Sequence, residues 1–465
     1  MQQTKNYIAV PLMAVLLSGC TLLAPDTPTQ VQVPAQWMVA GETRAPYDPA
    51  HWWVQFNQPQ LTVLVAEALN YNADLQLAAA RVAEARAAVT GTQAERFPLL
   101  QGTGDAGRGN MTVTGKPASA FSLGGLLSYE VDLWGRLANA DRAARARLLS
   151  SEANQQAVRQ AVAAEVTRQY FTLLALDWQM DVARRTIKTR EESLALQRKR
   201  FEGGDIDALD FRQAETQLEA ANALLPSLQQ QRDLTTNGLS VLLGRAPEAI
   251  IAQTLHQDIS GALLPDVPPL PEILLSEHIV HRPDIAAAEA QVKAADADVG
   301  VARTAYLPRL SLQGMLGLGS NSLDTLLETS AKQWNVAGAL AGPLLDFGRA
   351  TAQVEAAQAR QKQAYINYEQ TVRVAVREIM DALSVYERAG ARLAAQNRQI
   401  IALRQAVDVA NKRYDAGYSS YLDLLDAERN LLQVEIDSVA TQNERLIAIT
   451  NLYRALGHEN GAAAE

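Results

Sequence analysis

The sequence predicts an α+β membrane protein made of two copies of one unit, each carrying two β-strands of bilayer length and a pair of helices, the first unusually long. Three observations carry this prediction: a repeat at a near-constant offset, alternating-polarity segments next to proline-free helical segments, and an N-terminal export signal. At 465 residues and 48% hydrophobic content, the chain exceeds the ~250–300 residues at which single cores stop growing. Two halves or an elongated shape are therefore expected. A formal charge of −9 with no basic stripe excludes wrapping of nucleic-acid phosphates. Aromatic residues are only 6% of the chain, and Ala, Gln, Glu and Arg dominate long stretches, the composition of extended helices rather than a compact enzyme. The seven Met and five His are scattered and form no metal-binding pattern.

At the N-terminus, Lys5 precedes a largely apolar run from Tyr7 to Leu17, and Leu17-Ser18-Gly19-Cys20 follows. The run is too short to span a membrane as a helix and reads as a signal peptide. Cys20 is the single cysteine of the chain, so it cannot form an internal disulfide. The Leu-Ser-Gly-Cys pattern resembles the bacterial lipobox, which implies cleavage before Cys20 and lipid attachment to it. Thr21 follows where inner-membrane retention would favour Asp, and this points to the outer membrane.

Two halves of the chain match in long blocks. Asp74-Leu75 through Phe97-Pro98-Leu99-Leu100 aligns with Asp284-Ile285 through Leu307-Pro308-Arg309-Leu310 at an offset of 210. From Gly135-Arg136 against Gly348-Arg349 the offset becomes 213, and it holds through Leu209-Asp210 with Leu422-Asp423, Arg232 with Arg445, and Leu243-Gly244 with Leu456-Gly457. A period this long marks a duplicated half-protein rather than a solenoid. Residues 1–19 are expected to be the signal peptide and 20–60 an extended lipid-anchored segment. Residues 61–270 and 271–457 form the two repeats, with strands at about 99–134 and 309–346, and 458–465 form a tail.

No proline interrupts 118–225 or the chain after Pro343, so about Leu137–Arg200 and Ala350–Arg413 can run as single helices roughly 95 Å long. Their Ala-rich surfaces suit edge-to-edge packing with water on the remaining faces, as in a hollow helical wall. A two-stranded coiled coil would need sustained apolar heptads; such clusters occur at 161–177 and 371–389 and lapse elsewhere.

Between Pro98 and Trp134 the period becomes two: Phe121, Leu123, Leu127, Tyr129, Val131 and Leu133 oppose Ser122, Ser128, Glu130 and Asp132. Between Pro308 and Phe347, Leu310, Leu312, Leu316 and Leu318, then Trp334, Val336, Leu340 and Leu344, repeat the pattern. About 10 residues per segment suffice for a tilted membrane strand, and apolar-out, polar-in alternation is what a water-filled barrel requires. Four strands cannot close a barrel, so oligomerisation must supply the others; a soluble β-layer capping the helices is the alternative. The proline-containing stretches Leu22 to Pro59 and Pro247 to Pro271 read as extended belts.

Several marks together resemble the TolC-like outer-membrane factor family, in particular its lipoprotein branch containing OprM (NodT-type). They are the lipobox, Tyr129-Glu130-Val131-Asp132-Leu133-Trp134-Gly135-Arg136, His281-Arg282-Pro283-Asp284, and Gly342-Pro343-Leu344-Leu345-Asp346-Phe347-Gly348-Arg349. The most specific is Arg413-Tyr414-Asp415-Ala416-Gly417 followed by Tyr421-Leu422-Asp423-Leu424-Leu425-Asp426-Ala427. The resemblance implies a homotrimer whose chains together form a twelve-stranded outer-membrane barrel continued by a periplasmic helical tunnel. It implies a passive exit duct for drugs or other small toxic compounds, with a periplasmic adaptor and an inner-membrane transporter of the resistance-nodulation-division (RND) type as partners. A type I protein-secretion duct and a lipid-anchored scaffold without a pore are the alternatives. The turns at Gly203-Gly204 and Ala416-Gly417 correspond to the periplasmic tip. Position by position, Leu422, Asp423 and Asp426 match the gate constrictions, and Tyr414, Arg429 and Asp210 match contacts that hold the tip closed. Ser419 stands where some members carry a basic residue. Three chains would bring six carboxylates to one axis, and converging carboxylates attract cations, so a cation-selective, divalent-sensitive gate is expected.

No catalytic constellation is present, and an enzyme is not expected. Gly102-x-Gly104 lacks the following phosphate-binding helix, and Gly107-x-Gly109 is predicted to lie in a surface loop, so neither suggests nucleotide binding. Beyond the lipid on Cys20 no cofactor is expected; the remaining partner is outer-membrane lipid. The low Met and His content argues mildly against dedicated copper or silver export.

Overall fold

The computed structural model describes residues 38–39, 51–109, 117–252, 264–270, 273–274 and 281–456. The export signal, Cys20, Thr21, most of the Leu22–Pro59 stretch and Gly457 lie outside them. In chain order the elements are β1 (Met38–Val39), α1 (Pro59–Tyr71), α2 (Ala73–Ala94), β2 (Leu99–Gly109), β3 (Ala118–Val131), α3 (Arg136–Gly203), α4 (Ala208–Leu242) and α5 (Pro247–Ile251). Then follow β4 (Ile273–Leu274), α6 (Pro283–Arg303), β5 (Arg309–Ser320), β6 (Lys332–Ala341), α7 (Arg349–Asp415) and α8 (Tyr421–Leu456). The order strand, strand, long helix, shorter helix therefore occurs twice. Helices α3 and α7 run 68 and 67 residues.

The chain divides into two compact units. The first contains Ala80–Ala153 and Ala286–Thr371. Its centre is one antiparallel sheet ordered β2-β3-β5-β6, so among the described residues β2 and β6 each present an unpaired edge. Cross-strand pairs such as Leu123↔Gly104, Leu123↔Leu318 and Leu316↔Trp334 align the alternation of all four strands. One face carries Leu100, Gly102, Gly104, Ala106 and Arg108 of β2, Phe121, Leu123, Leu127, Tyr129 and Val131 of β3, Leu310, Leu312, Leu316 and Leu318 of β5, and Lys332, Trp334, Val336 and Leu340 of β6. The other carries Gln101, Thr103, Asp105, Ser122, Ser128, Glu130, Arg309, Ser311, Gln313, Gln333 and Asn335. Trp334 and Val336 stand 77% and 78% exposed, an apolar face that no layer of the described residues covers.

Strand ends depart from the sequence reading in three places. β3 stops at Val131, because the Asp132 carboxylate accepts the Leu137 and Ala138 N–H groups at 3.1 and 2.8 Å and caps α3 instead of extending the strand. Asp346 does the same for α7, accepting from Gly348 at 3.0 Å and Ala350 at 2.8 Å, so Leu344 lies beyond β6, which ends at Ala341. Gly107 and Gly109, expected in a loop, belong to β2 and pair with Ala120 and Ala118. Trp134 Nε1 donates to the Pro308 carbonyl at 2.7 Å, tying the two strand-helix junctions together. Arg136 holds Glu130 bidentately at 2.7 and 2.9 Å.

The second unit comprises the described parts of Gln32–Ala79, Asn154–Ile285 and Val372–Glu465. Its core is aromatic: Trp52 stacks on Tyr453 at 5.8 Å, and Phe56 meets Phe171 edge-on at 4.8 Å. Burial pushes the Tyr170 and Tyr453 hydroxyls up to about 12. The apolar clusters read from the sequence supply this core, with Val166, Phe171, Leu173, Val372, Ala375 and Ile379 all buried. Two proline segments read as extended are partly helical. Pro59 and Pro247 occupy first helical positions of α1 and α5, where the missing N–H is unpaired anyway. The short α5 therefore replaces extended chain at Pro247, while residues 264–270 form neither helix nor strand.

The His281-Arg282-Pro283-Asp284 motif is structural. Arg282 is buried, donates to Asp284 at 3.0 and 2.7 Å, to Glu378 at 2.9 Å and to the Ala455 carbonyl at 2.8 Å, while Arg454 reaches Glu378 at 2.9 Å. Burial alone would raise the Glu378 carboxyl, but the hydrogen bonds and charges of Arg454 and Arg282 outweigh it and hold the group below its ordinary value. The repeats diverge at a matched pair: Arg232 is bonded to Asp177, whereas its counterpart Arg445 lies against Gly390 and over the Tyr386 ring at 4.5 Å.

Candidate functional site

The turns joining α3 to α4 and α7 to α8 have the same construction. Each long helix ends in a left-handed glycine, Gly204 with φ 81° and Gly417 with φ 75°, a conformation that side chains with a Cβ disfavour. Asp205 N–H donates to the Arg200 carbonyl at 2.8 Å and Gly204 N–H to Phe201 at 3.0 Å. Tyr418 to Arg413 at 2.8 Å and Gly417 to Tyr414 at 3.0 Å repeat the pattern, which closes a helix by satisfying its last carbonyls. The returning helices are capped differently. Asp207 accepts the Leu209 and Asp210 N–H groups, both at 2.9 Å. Ser420 and Asp423 form a reciprocal box, Asp423 N–H to Ser420 Oγ at 3.4 Å and Ser420 N–H to Asp423 Oδ2 at 3.2 Å.

Beneath the turns, all four helices meet in one apolar cluster: Ala214 of α4 and Tyr421, Leu424 and Leu425 of α8, with Leu194 of α3 and Val407, Ala410 and Tyr414 of α7 packed on them. Polar contacts cross from α3 to the α7–α8 hairpin in successive rungs. Arg200 pairs with Asp415 at 2.8 Å and lies over the Tyr414 ring at 5.3 Å. Tyr414 donates to Gln197 Oε1 at 2.9 Å, and Tyr421 and Ser193 share a hydrogen bond at 3.2 Å. The hydrogen bond to Asp415 raises the Arg200 pKa. Farther along, Arg190 is buried, holds the Gln217 carbonyl and Oε1 at 3.1 and 2.7 Å, and lines a cavity of about 200 Å³ with Glu428 and Val407. Its Nε has no hydrogen-bond partner. Burial raises the Glu428 carboxyl and lowers the Arg190 guanidinium.

The residues singled out in the sequence have different placements here. Leu422 is 56% exposed at the start of α8, beside Asp423, whose carboxylate is engaged in the helix cap. Asp426 accepts from Arg429 at 2.7 Å and Asn430 at 3.2 Å on its own helix, so among the described residues Arg429 serves its own helix rather than a bridge to a second one. Tyr414 does join two helices. Asp210 occupies the position that Asp423 holds in the second repeat; burial, then the neighbouring Asp207 charge, raises its carboxyl. Cys20 lies outside the described residues. Sequence reasoning missed Arg200, Gln197, Ser193 and Asp415 as cross-links. Asp415 lay inside the quoted turn motif and Arg200 at the end of the expected first long helix, but their pairing spans more than 200 residues and leaves no local signal.

A sheet with one exposed apolar face, together with very long helices duplicated in one chain, is the architecture of a class of membrane channel. The family model for outer membrane efflux proteins matches residues 64–245 and 274–458, once in each half of the chain. The cation efflux system protein CusC of Escherichia coli (strain K12) is 32% identical over 96% of this chain and 97% of its own. The solvent efflux pump outer membrane protein SrpC of Pseudomonas putida is 30% identical over 97% of this chain and 98% of its own. The solved structure of the outer-membrane channel OprN superposes with a TM-score of 0.86 at 31% identity, covering 94% of this chain and 99% of that one. The chain belongs to the outer membrane efflux protein family. It is an outer-membrane channel component of an efflux system, with the fold of the TolC-like channels.

Proposed function

We propose that this chain is the exit duct of a tripartite exporter: a homotrimer, anchored by lipid on Cys20, that receives cargo from a periplasmic adaptor and an inner-membrane RND transporter. The observation carrying this reading is the four-stranded sheet with two unpaired edges and unlike faces. Open edges in hydrocarbon leave backbone groups unsatisfied, and four strands fall short of the 8 with which such barrels begin. Antiparallel pairing of β6 with β2 of the next copy continues the alternation of strand direction, and three copies give an even, closed ring. The apolar face then meets lipid and the Asp105/Glu130/Arg309 face meets water. The tip is the gate, where Leu422, Asp423 and Asp426 from three chains converge and favour cations.

Cargo is set by the pump more than by the duct. CusC and SrpC are named for cations and solvents, yet their identities to this chain differ by only two percentage points, so overall similarity favours neither. In-cell crosslinking of the tagged protein, followed by mass spectrometry after detergent extraction, tests the assembly. Recovery of a self-trimer with adaptor and RND pump is expected. A type I secretion transporter in place of the pump would reassign the cargo to proteins, and a monomer with only cell-wall partners would make the chain a scaffold without a pore.

A further inference from the structure

The apolar face of the sheet is not free of charge. Among the described residues, its only charged side chains are Arg108 on β2 and Lys332 on β6. Both are cations, both are exposed, and both sit at the strand ends remote from Pro98 and Pro308, where the helices join. The opposite face mixes signs, with Asp105, Glu130 and Arg309, so the bias toward positive charge belongs to the apolar face alone. The two cations also occupy the two edge strands of the sheet. Neither forms an ion pair among the described residues.

A charge facing hydrocarbon at mid-depth is costly, and that cost falls toward zero at the interface, where a long basic side chain can reach out to the headgroups. Trp334 shares the face and strand of Lys332 two residues away, as expected of an interfacial aromatic. The loop leading into Lys332 exposes Leu323 and Leu327 together with the carboxylates of Asp324 and Glu328, so the positive bias is confined to the strand ends themselves. At the outward end of the strands, phosphate groups of a glycolipid headgroup are the chemistry that two basic side chains on a lipid-facing rim would hold. We infer that Arg108 and Lys332 bind glycolipid phosphate at the seam where β6 of one copy meets β2 of the next. The seam rests on the trimeric-barrel reading above; the charge pattern does not.

The test is native mass spectrometry of the full-length protein in mild detergent, titrated with bis-phosphorylated lipid A or with phosphatidylethanolamine. Wild-type trimers are expected to retain lipid A selectively, the Arg108→Gln/Lys332→Gln double variant to bind it at least ~10-fold more weakly, and Arg108→Lys/Lys332→Arg to restore binding. A trimer whose lipid A affinity is indifferent to the double substitution, or no greater than for phosphatidylethanolamine, overturns the site alone. A wild-type protein that is not trimeric overturns the closed barrel and the seam with it.

Discussion

If the tip is the gate, the rungs from α3 to the α7–α8 hairpin hold it closed, and Tyr414→Phe isolates one of them. The substitution deletes the hydroxyl that donates to Gln197 at 2.9 Å, while the ring stays against Tyr421, 5.1 Å between centroids, and under Arg200. Gln197 is 2% exposed, so its Oε1 is left without a donor and with little access to water. A buried polar atom stranded this way costs about 1–2 kcal/mol, which shifts a two-state gate roughly 5–30-fold toward open. Gln197→Leu strands the other partner and should cost a similar amount. The double variant removes both partners, and replacing both ends of a hydrogen bond by apolar groups is close to neutral. The expected result in single-channel recordings from planar bilayers is therefore non-additive: each single variant raises the open probability, and the double variant falls well short of their product. Additive singles, or singles indistinguishable from wild type, would refute the hydrogen bond as a latch. Arg200→Gln is a weaker perturbation, because its ion pair to Asp415 is partly exposed and contributes only ~0.5 kcal/mol, with about as much again from the ring.

Two further predictions concern pH. Glu378, held below its ordinary value, contributes stability that is present above the unfolded carboxyl range of about 4.3 and is lost as pH falls through its depressed folded pKa. Glu378→Gln should cost about 2–3 kcal/mol at neutral pH, with the difference from wild type shrinking below about pH 4 in circular-dichroism melts; a difference constant with pH would exclude the Arg282/Arg454 charges as its source. Glu428 has the opposite sign. Its carboxyl is raised by burial, so packing of α8 is favoured while the group is neutral and loses that contribution as pH rises through the raised folded pKa. Glu428→Gln should be more stable than wild type above that range and equal to it near pH 4; a variant less stable at pH 8 would mean that the Arg190 attraction outweighs desolvation.

The strands were legible because a membrane barrel imposes a period of two on sequence, and both alternating segments of each repeat became strands in a common register. Long helices were equally legible from the absence of proline. Boundaries were less so, since alternation continues through Asp132 and Leu344 although the first caps a helix and the second lies past the strand. The glycine turns were readable because a left-handed residue needs glycine at a fixed place, and their duplication removed doubt about their role in ending the helices. The cross-links at the tip were not readable. Arg200 and Asp415 look like ordinary solvated charges until two helices from different repeats are placed side by side.

By itself, the sequence determined the duplication, the helix and strand periods and the turn positions, because each is written in local spacing or residue type. Only the tertiary structure decided which carboxylates are engaged. Asp423 went to a helix cap, Asp426 to Arg429 and Glu378 to the buried Arg282 and the partly exposed Arg454, while Glu428 was left facing a cavity. Asp and Glu are acceptors of the same kind everywhere along a chain, so their roles depend on burial and on donors brought in from distant residues, which spacing along one helix does not encode.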